Sequence, residues 1–179
     1  MIRVRSLRTA ELTERDLEAM RGLFAAAWPE EEYTDADWNN LFGGLHVVLE
    51  LDGRLATHAS VVPRELRTGG RALNTGYVEA VATWPGLQRR GFATRVMRVV
   101  NEHILDQYEL GGLDTSRHGF YRRVGWERWR GPTFVRLGDR ERATPEEDGF
   151  VMILRTPRTP ASLDLDAPIS CDWREGDVW

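Results

Sequence analysis

The chain has 179 residues, 41% of them hydrophobic and 29% charged, with a formal net charge of −4. This length and balance predict a single globular domain over residues 1–179, with a sizeable apolar core. The negative charge disfavours a nucleic-acid partner, and no apolar run reaches the roughly 18 residues that a membrane span needs. The first residues lack a signal-peptide pattern, and the single cysteine excludes an internal disulfide. We therefore expect a cytoplasmic protein.

The first third of the chain predicts one strand and two helices. Alternating apolar and polar residues at 2–8 indicate a half-buried strand. A Thr-x-x-Asp capping box at Thr13 then opens an amphipathic helix, which ends before Pro29. A second capping box, from Thr34 to Asp37, opens a shorter helix that the pair Gly43-Gly44 ends.

The central segment predicts three consecutive strands. The first, LHVVLEL at 45–51, runs into Asp52-Gly53, a strong hairpin signal. The second strand ends at Gly69-Gly70, and the third covers residues 72–83. Such short turns join antiparallel neighbours, so we expect an antiparallel meander.

The remaining chain predicts a long amphipathic helix after residues 84–91, a short buried strand at GGLDT, a short helix at RHGFYRRVG, and two final strands. We expect residues 138–149 and 156–170 to be irregular. The fold class is therefore one mixed α/β (α+β) domain. None of His58, His103 and His118 has the spacing of a metal ligand, so we expect no metal.

The loop before the long helix has the composition of an anion site. A helix start presents backbone N–H groups that have no partner within the helix, and these suit a pyrophosphate. Gly91 lets the backbone approach the anion, Ala93 is small, and Arg89 and Arg90 add positive charge. Taken alone, this pattern is weak.

The same segment resembles the acyl-CoA loop of the GCN5-related N-acetyltransferase (GNAT) superfamily, with Gln88, Gly91 and Ala93 in the matching places. Two further stretches agree, the preceding strand at 77–83 and the sequence FYRRVGW at 120–126. The resemblance implies a mostly antiparallel central sheet with splayed strands, flanked by helices, and acetyl-CoA as co-substrate. The residues that it implies for the cofactor are Val81, Ala82, Thr83, Gln88, Arg89, Arg90, Gly91, Phe92 and Ala93.

Over nearly its whole length the chain is also similar to aminoglycoside 2′-N-acetyltransferases. The matching stretches are YTDADW, GGLH, GYVEAVA, GWERWRGPT, TPEEDG and the final CDWREGDVW. The resemblance implies acetylation of the 2′-amine of these antibiotics, hence resistance, and a homodimer. It places the following residues at the substrate: Glu32, Asp37, Glu79, Ala80, Asp114, Glu146, Glu147, Asp177 and Trp179.

Elementary electrostatics supports an acidic pocket. An aminoglycoside is a small, hydroxylated polycation, so its site should gather carboxylates from distant segments and focus a negative potential. Acids cluster at 30–37, at 146–148 and at 172–177. Two tryptophans in the last seven residues suggest that the tail 171–179 packs and completes the pocket, since loose chain ends are usually polar.

The resemblance also implies direct acetyl transfer. Glu79 would take the amine proton through a water, Tyr121 would protonate the departing thiolate, and the backbone around Val81 would polarise the acetyl carbonyl.

Two alternatives stay open. The acceptor could be another cationic amine, such as a cell-wall amino sugar or a polyamine. The protein could also be a non-catalytic, CoA-bound module that sequesters the antibiotic, although the presence of both Glu79 and Tyr121 disfavours this.

Overall fold

The computed structural model describes residues 1–30 and 34–179; the predicted substrate residue Glu32 lies outside them. The described helices are α1 (Glu14–Ala27), α2 (Asp35–Asn40), α3 (Phe92–Gln107) and α4 (His118–Arg122). The strands are β1 (Ile2–Arg8), β2 (Leu45–Leu51), β3 (Arg54–Thr68), β4 (Arg71–Thr83), β5 (Leu110–Asp114), β6 (Glu127–Arg128), β7 (Thr133–Leu137), β8 (Arg140–Ala143), β9 (Val151–Arg155) and β10 (Ile169–Asp172).

The described chain forms two compact units, residues 1–62 with 78–102 and residues 63–77 with 103–179. In the first unit β1 pairs antiparallel with β2, and β2 pairs antiparallel with β3. Helix α1 begins at the predicted capping box, in which the Asp16 amide donates to Thr13 Oγ1 across 3.2 Å. Its apolar face enters a core that comprises Met20, Leu23, Phe24, Trp38, Leu41 and Ala82.

The second unit carries the mixed part of the sheet. Strand β5 runs parallel to the first half of β4, from Thr75↔Leu110 to Tyr77↔Gly112, and antiparallel to β9. Strand β10 pairs parallel with β7 and antiparallel with the end of β3. Strand β4 neighbours β3 in the sheet and follows it after the turn at Gly69-Gly70. The predicted succession of β2, β3 and β4 and the mixed α/β class are thus confirmed.

Two segments that we predicted to be irregular contain strands. Residues 140–143, RERA, form β8, which pairs with β7 from Phe134↔Ala143 to Leu137↔Arg140. All four residues of β8 are exposed, so no apolar alternation marked the strand in the sequence. The other irregular stretch ends inside β10, which begins at Ile169.

Candidate active site

A kink in strand β4 positions the predicted base. Ala80 adopts a left-handed backbone conformation, with φ of 48°, and Glu79, which precedes it, is half-buried. The Ala80 carbonyl accepts a hydrogen bond from His58 Nδ1 across 2.9 Å, and the Glu79 carbonyl accepts one from the Ser60 hydroxyl across 3.4 Å. Side chains of β3 therefore bind two consecutive carbonyls of β4 at the kink.

The loop after β4 forms a concave backbone turn before α3. Arg89 and Gly91 both have positive φ, 60° and 79°. Apart from its chain neighbours, no atom of the described residues lies within 4 Å of a Cβ built on Gly91. Gln88 Nε2 donates to the Thr83 carbonyl across 3.3 Å, which ties the loop to the end of β4. Helix α3 is 16 residues long and begins at Phe92. Successive N–H groups in such a turn, together with a helix start, fit an anionic phosphate group.

The nine residues predicted to contact the cofactor therefore lie in one continuous stretch of the first unit, from Val81 to Ala93. Arg90 extends over the Phe92 ring, with its guanidinium carbon 5.3 Å from the ring centroid. Its charge stays near the helix start, where it adds to the attraction for phosphate. The residues present thus fit the pyrophosphate of coenzyme A.

Four of the predicted substrate acids interact in the second unit. Burial, followed by the neighbouring carboxylates of Asp177 and Glu146, raises the pKa of Glu147, while a hydrogen bond with Asp114 lowers it. These acids come from β5, from the turn Pro145–Glu147 and from the tail. Like charges held this close repel one another, so the cluster is suited to receive a cation.

The C-terminal tail is anchored beside this cluster. The Trp179 side chain is buried, with 2% of its surface exposed, and its indole nitrogen donates to Thr144 Oγ1 across 3.1 Å. Arg174 donates to the Trp179 carboxyl oxygen across 3.2 Å and to the Asp177 carbonyl across 2.6 Å. Packing of Trp179 matches our expectation, whereas Trp173 is 54% exposed, so the expectation that it packs was wrong.

Sequence reasoning missed the residues that hold the tail. Thr144 donates to the Thr133 hydroxyl across 2.9 Å, and Asp148 accepts from both the amide and the hydroxyl of Thr133, at 2.8 and 2.9 Å. These residues lie in the stretches GPT and TPEEDG, which carried the resemblance. The only available signal was therefore the resemblance, since small hydroxyl residues in loops have no distinctive spacing.

Tyr121 in α4 is buried, with 7% of its surface exposed, and makes edge-to-face contacts with Phe120 and Trp126. Burial raises the pKa of its phenol above the ordinary value, with a smaller lowering effect from Arg117 and a raising effect from Asp114. The phenol therefore holds its proton at neutral pH, which is the state that a proton donor needs.

The remaining predicted residues are not brought together by what the structure describes. Asp37 is the N3 residue of the α2 capping box, where its Oδ2 accepts from the Thr34 hydroxyl across 2.6 Å and from the Thr34 amide across 3.1 Å. This carboxylate thus has a structural role, and its contact with substrate stays a prediction. Glu79 and Tyr121 belong to different units, so their joint action stays a prediction too.

Comparison with known proteins decides the family. A family model for the acetyltransferase (GNAT) domain matches residues 8–129. The chain belongs to the GNAT family. This GNAT acetyltransferase uses acetyl-CoA, as the resemblance implied. Within the part of the chain that the structure describes, no group of three or more His, Cys, Asp or Glu residues could hold a metal ion.

Relatives and solved structures agree with this assignment. The GNAT protein is 40% identical to the aminoglycoside 2′-N-acetyltransferase of Mycolicibacterium fortuitum, over 98% of this chain and 91% of that relative. The fold matches the Escherichia coli GNAT protein YhbS, solved with CoA, with a TM-score of 0.67 at 14% identity, over 96% of this chain and 88% of that one. It also matches a Brucella melitensis GNAT acetyltransferase solved with acetyl-CoA, with a TM-score of 0.62 at 18% identity, over 94% of each chain.

Proposed function

We propose that this acetyltransferase transfers the acetyl group of acetyl-CoA to the 2′-amine of aminoglycoside antibiotics, and that it thereby confers resistance. The observation that carries the proposal is the acidic cluster of the second unit, formed by Asp114, Glu146, Glu147 and Asp177, with the Trp179 carboxylate anchored in the same tail. A multiply protonated sugar is the kind of ligand that such a cluster binds. The near full-length match to an aminoglycoside 2′-N-acetyltransferase supports the same substrate class.

Acetyl-CoA supplies an activated acetyl group as a thioester. The turn from Gln88 to Phe92 and the start of α3 hold its phosphates through backbone amides, and Arg89 and Arg90 add charge. The backbone amide of Val81, beyond the kink, polarises the acetyl carbonyl. By holding both reactants, these residues remove much of the entropic cost of the reaction.

Two side chains move protons in this proposal. The Glu79 carboxylate takes the proton of the attacking amine, directly or through a water. The Tyr121 phenol, which is protonated at neutral pH, gives its proton to the departing sulfur. Glu32, Asp37 and the second-unit acids bind the remaining ammonium and hydroxyl groups of the sugar.

A thiol-release assay across acceptors tests the proposal. Gentamicin and tobramycin carry a 2′-amine, and we expect them to release CoA thiol rapidly. Kanamycin A carries a hydroxyl there, and we expect little N-acetylation. If spermidine or glucosamine outcompetes every aminoglycoside, the acceptor is another amine. If tobramycin binds tightly without any thiol release over hours, the protein is a binding module and the proposal fails.

Two substitutions test the assigned roles in the same assay. Glu79→Gln and Tyr121→Phe should each lower kcat by about 10²-fold or more, the usual range for a lost general base or acid. A kcat within twofold of wild type for either variant would remove that residue from the reaction.

We also propose that the protein is a cytoplasmic homodimer that binds neither nucleic acid nor membrane. The family resemblance supports the dimer, and no helix among the described residues is long and apolar enough to cross a membrane. One chain has a mass of 20.5 kDa. Light scattering coupled to size-exclusion chromatography at micromolar concentration should give twice that mass. A monomer mass would contradict the dimer.

A further inference from the structure

Two histidines in the core of the first unit link the kink in β4 to Thr9, the residue that follows β1. His46 Nδ1 and His58 Nε2 are 3.1 Å apart, and neither side chain is exposed. The pairing register sets His46 opposite Ser60 and His58 opposite Val48, so the two histidines are diagonal neighbours on one face. His46 Nε2 lies 3.1 Å from the Thr9 hydroxyl, and His58 Nδ1 lies 2.9 Å from the Ala80 carbonyl.

The carbonyl at one end fixes every proton in this chain of hydrogen bonds. Because a carbonyl can only accept, His58 must carry its proton on Nδ1, which leaves Nε2 as an acceptor. His46 must then donate from Nδ1, and its own Nε2 accepts from the Thr9 hydroxyl across 3.1 Å, a shorter contact than the 3.4 Å from that hydroxyl to the Gly44 carbonyl. The Gly43 amide donates to Thr9 Oγ1 across 2.9 Å and completes the series. All the protons therefore point toward Ala80.

This arrangement does not transport protons. The Ala80 carbonyl cannot take up a proton, so a transferred proton would have nowhere to go. The surroundings are also apolar: the Phe24 ring is 5.3 Å from His58 and the Phe42 ring is 5.6 Å from His46, centroid to centroid. Burial lowers the pKa of His46 to about 4 and that of His58 to about 3. At neutral pH both rings are uncharged, and each has one fixed tautomer.

The series of hydrogen bonds instead holds the carbonyl of Ala80, a residue with an uncommon backbone conformation. A left-handed φ is unfavourable for alanine and persists only where its surroundings enforce it. His58 binds the Ala80 carbonyl, and Ser60 binds the carbonyl of the preceding residue, so the direction of the Glu79 side chain and of the Val81 amide depends on these two contacts.

We propose that His46 and His58 are positioning residues, which hold the Ala80 kink so that the Glu79 carboxylate and the Val81 amide face the reacting groups. The roles of Glu79 and Val81 in this statement rest on the proposed function. The tautomers and the held kink do not.

A matched pair of substitutions tests the positioning role. Asparagine and leucine have nearly the same shape, but the asparagine amide nitrogen lies close to where histidine has Nδ1 and can still donate to Ala80. We expect His58→Leu to lower kcat at least 10-fold, with a dissociation constant for acetyl-CoA within threefold of wild type. His58→Asn should retain kcat within about threefold. His103→Asn, on α3 in the other unit, serves as the matched control and should leave kcat unchanged.

The same kcat for folded His58→Leu and His58→Asn, each with a cooperative thermal transition, would overturn the proposal. Imidazole ¹⁵N chemical shifts of the wild-type protein test it without any substitution or turnover. We expect both histidines to be neutral with the proton on Nδ1 at pH 7; a proton on Nε2 of His58 would overturn it. If the wild type acetylates no aminoglycoside while both tautomers are as stated, the proposed function fails and the held kink stands.

Discussion

The indole nitrogen of Trp179 donates a hydrogen bond to the Thr144 hydroxyl across 3.1 Å, and both residues are buried. Thr144 in turn donates to Thr133, which is itself tied to Asp148. Trp179 is therefore held by Thr144, which in turn contacts Thr133 at the start of β7, and Asp148 beside Glu147 binds the same threonine. This relationship makes the position of Trp179 a property of the fold.

Removing the Thr144 hydroxyl should weaken antibiotic binding selectively. Thr144→Val leaves the indole N–H of Trp179 buried without its acceptor, which costs about 1–3 kcal/mol of stability. We expect the KM for tobramycin to rise roughly fivefold, while the KM for acetyl-CoA stays unchanged, because the cofactor loop belongs to the first unit. Steady-state kinetics with each substrate varied in turn measures both values.

The matched control is Thr68→Val. Thr68 is also a buried threonine of the second unit, but its hydroxyl makes no hydrogen bond within the described residues. We expect this variant to be as stable as wild type, or slightly more so, with unchanged kinetics. Equal effects of the two substitutions on the tobramycin KM would show that the tail does not depend on Thr144.

Neutralising Glu147 should weaken tobramycin binding without lowering the stability of the fold. Its pKa is raised, chiefly by burial and by Asp177 and Glu146, so the charged form is disfavoured in the folded protein. The unfavourable contribution is present at pH 7 and disappears as the pH falls below the ordinary pKa of about 4.3. Glu147→Gln should therefore not lower the Tm at pH 7, yet it should weaken tobramycin binding about 10-fold by calorimetry.

Glu141→Gln provides the comparison, because Glu141 is an exposed acid on β8. This substitution removes the same formal charge as Glu147→Gln. It should leave both the Tm and tobramycin affinity unchanged. A large drop in Tm for Glu147→Gln would mean that the carboxylate stabilises the fold, contrary to the electrostatic account.

The two buried histidines should make stability depend on pH. The folded pKa values of about 4 for His46 and about 3 for His58 lie below the unfolded value of 6.5, so the unfolded state binds protons first. Above pH 6.5 the histidines contribute no pH dependence. As the pH falls from 6.5 toward 4, the free energy of unfolding decreases, by on the order of 2 kcal/mol for each histidine at pH 5.

Urea unfolding at pH 7 and pH 5 measures this dependence. The double variant His46→Asn/His58→Asn should lose most of the difference between the two pH values, whereas His103→Asn should keep it. A pH dependence that survives the double substitution would assign it to other groups.

Pattern and turn chemistry predicted most of the fold. Alternation, the two capping boxes and the signals at Asp52-Gly53 and Gly69-Gly70 are local, and the elements that they predict are found. Strand β8 was not predicted, because its four residues are all exposed and so show no alternation of apolar and polar side chains. Trp173 was expected to pack because it is aromatic, but exposure at a tail depends on tertiary contacts that the sequence does not contain.

In the candidate site, too, residues close in sequence could be predicted, whereas residues that meet only through tertiary structure could not. The cofactor loop is continuous in sequence, so the resemblance could predict its residues from Gln88 to Ala93. His46 and His58 are 12 positions apart and show no ligand spacing; only the register of β2 against β3 makes them neighbours. The threonines that hold Trp179 likewise meet through tertiary structure, and no local pattern marks them.

The central claim is that the acidic cluster and the anchored tail present the 2′-amine of an aminoglycoside for acetylation. The most direct measurement is two-dimensional NMR of the product formed from tobramycin and [¹³C-acetyl]-CoA by the wild-type enzyme. We predict a single acetamide, coupled to the proton at carbon 2′. An acetyl group on any other amine, or no product while CoA binds normally, would contradict the account.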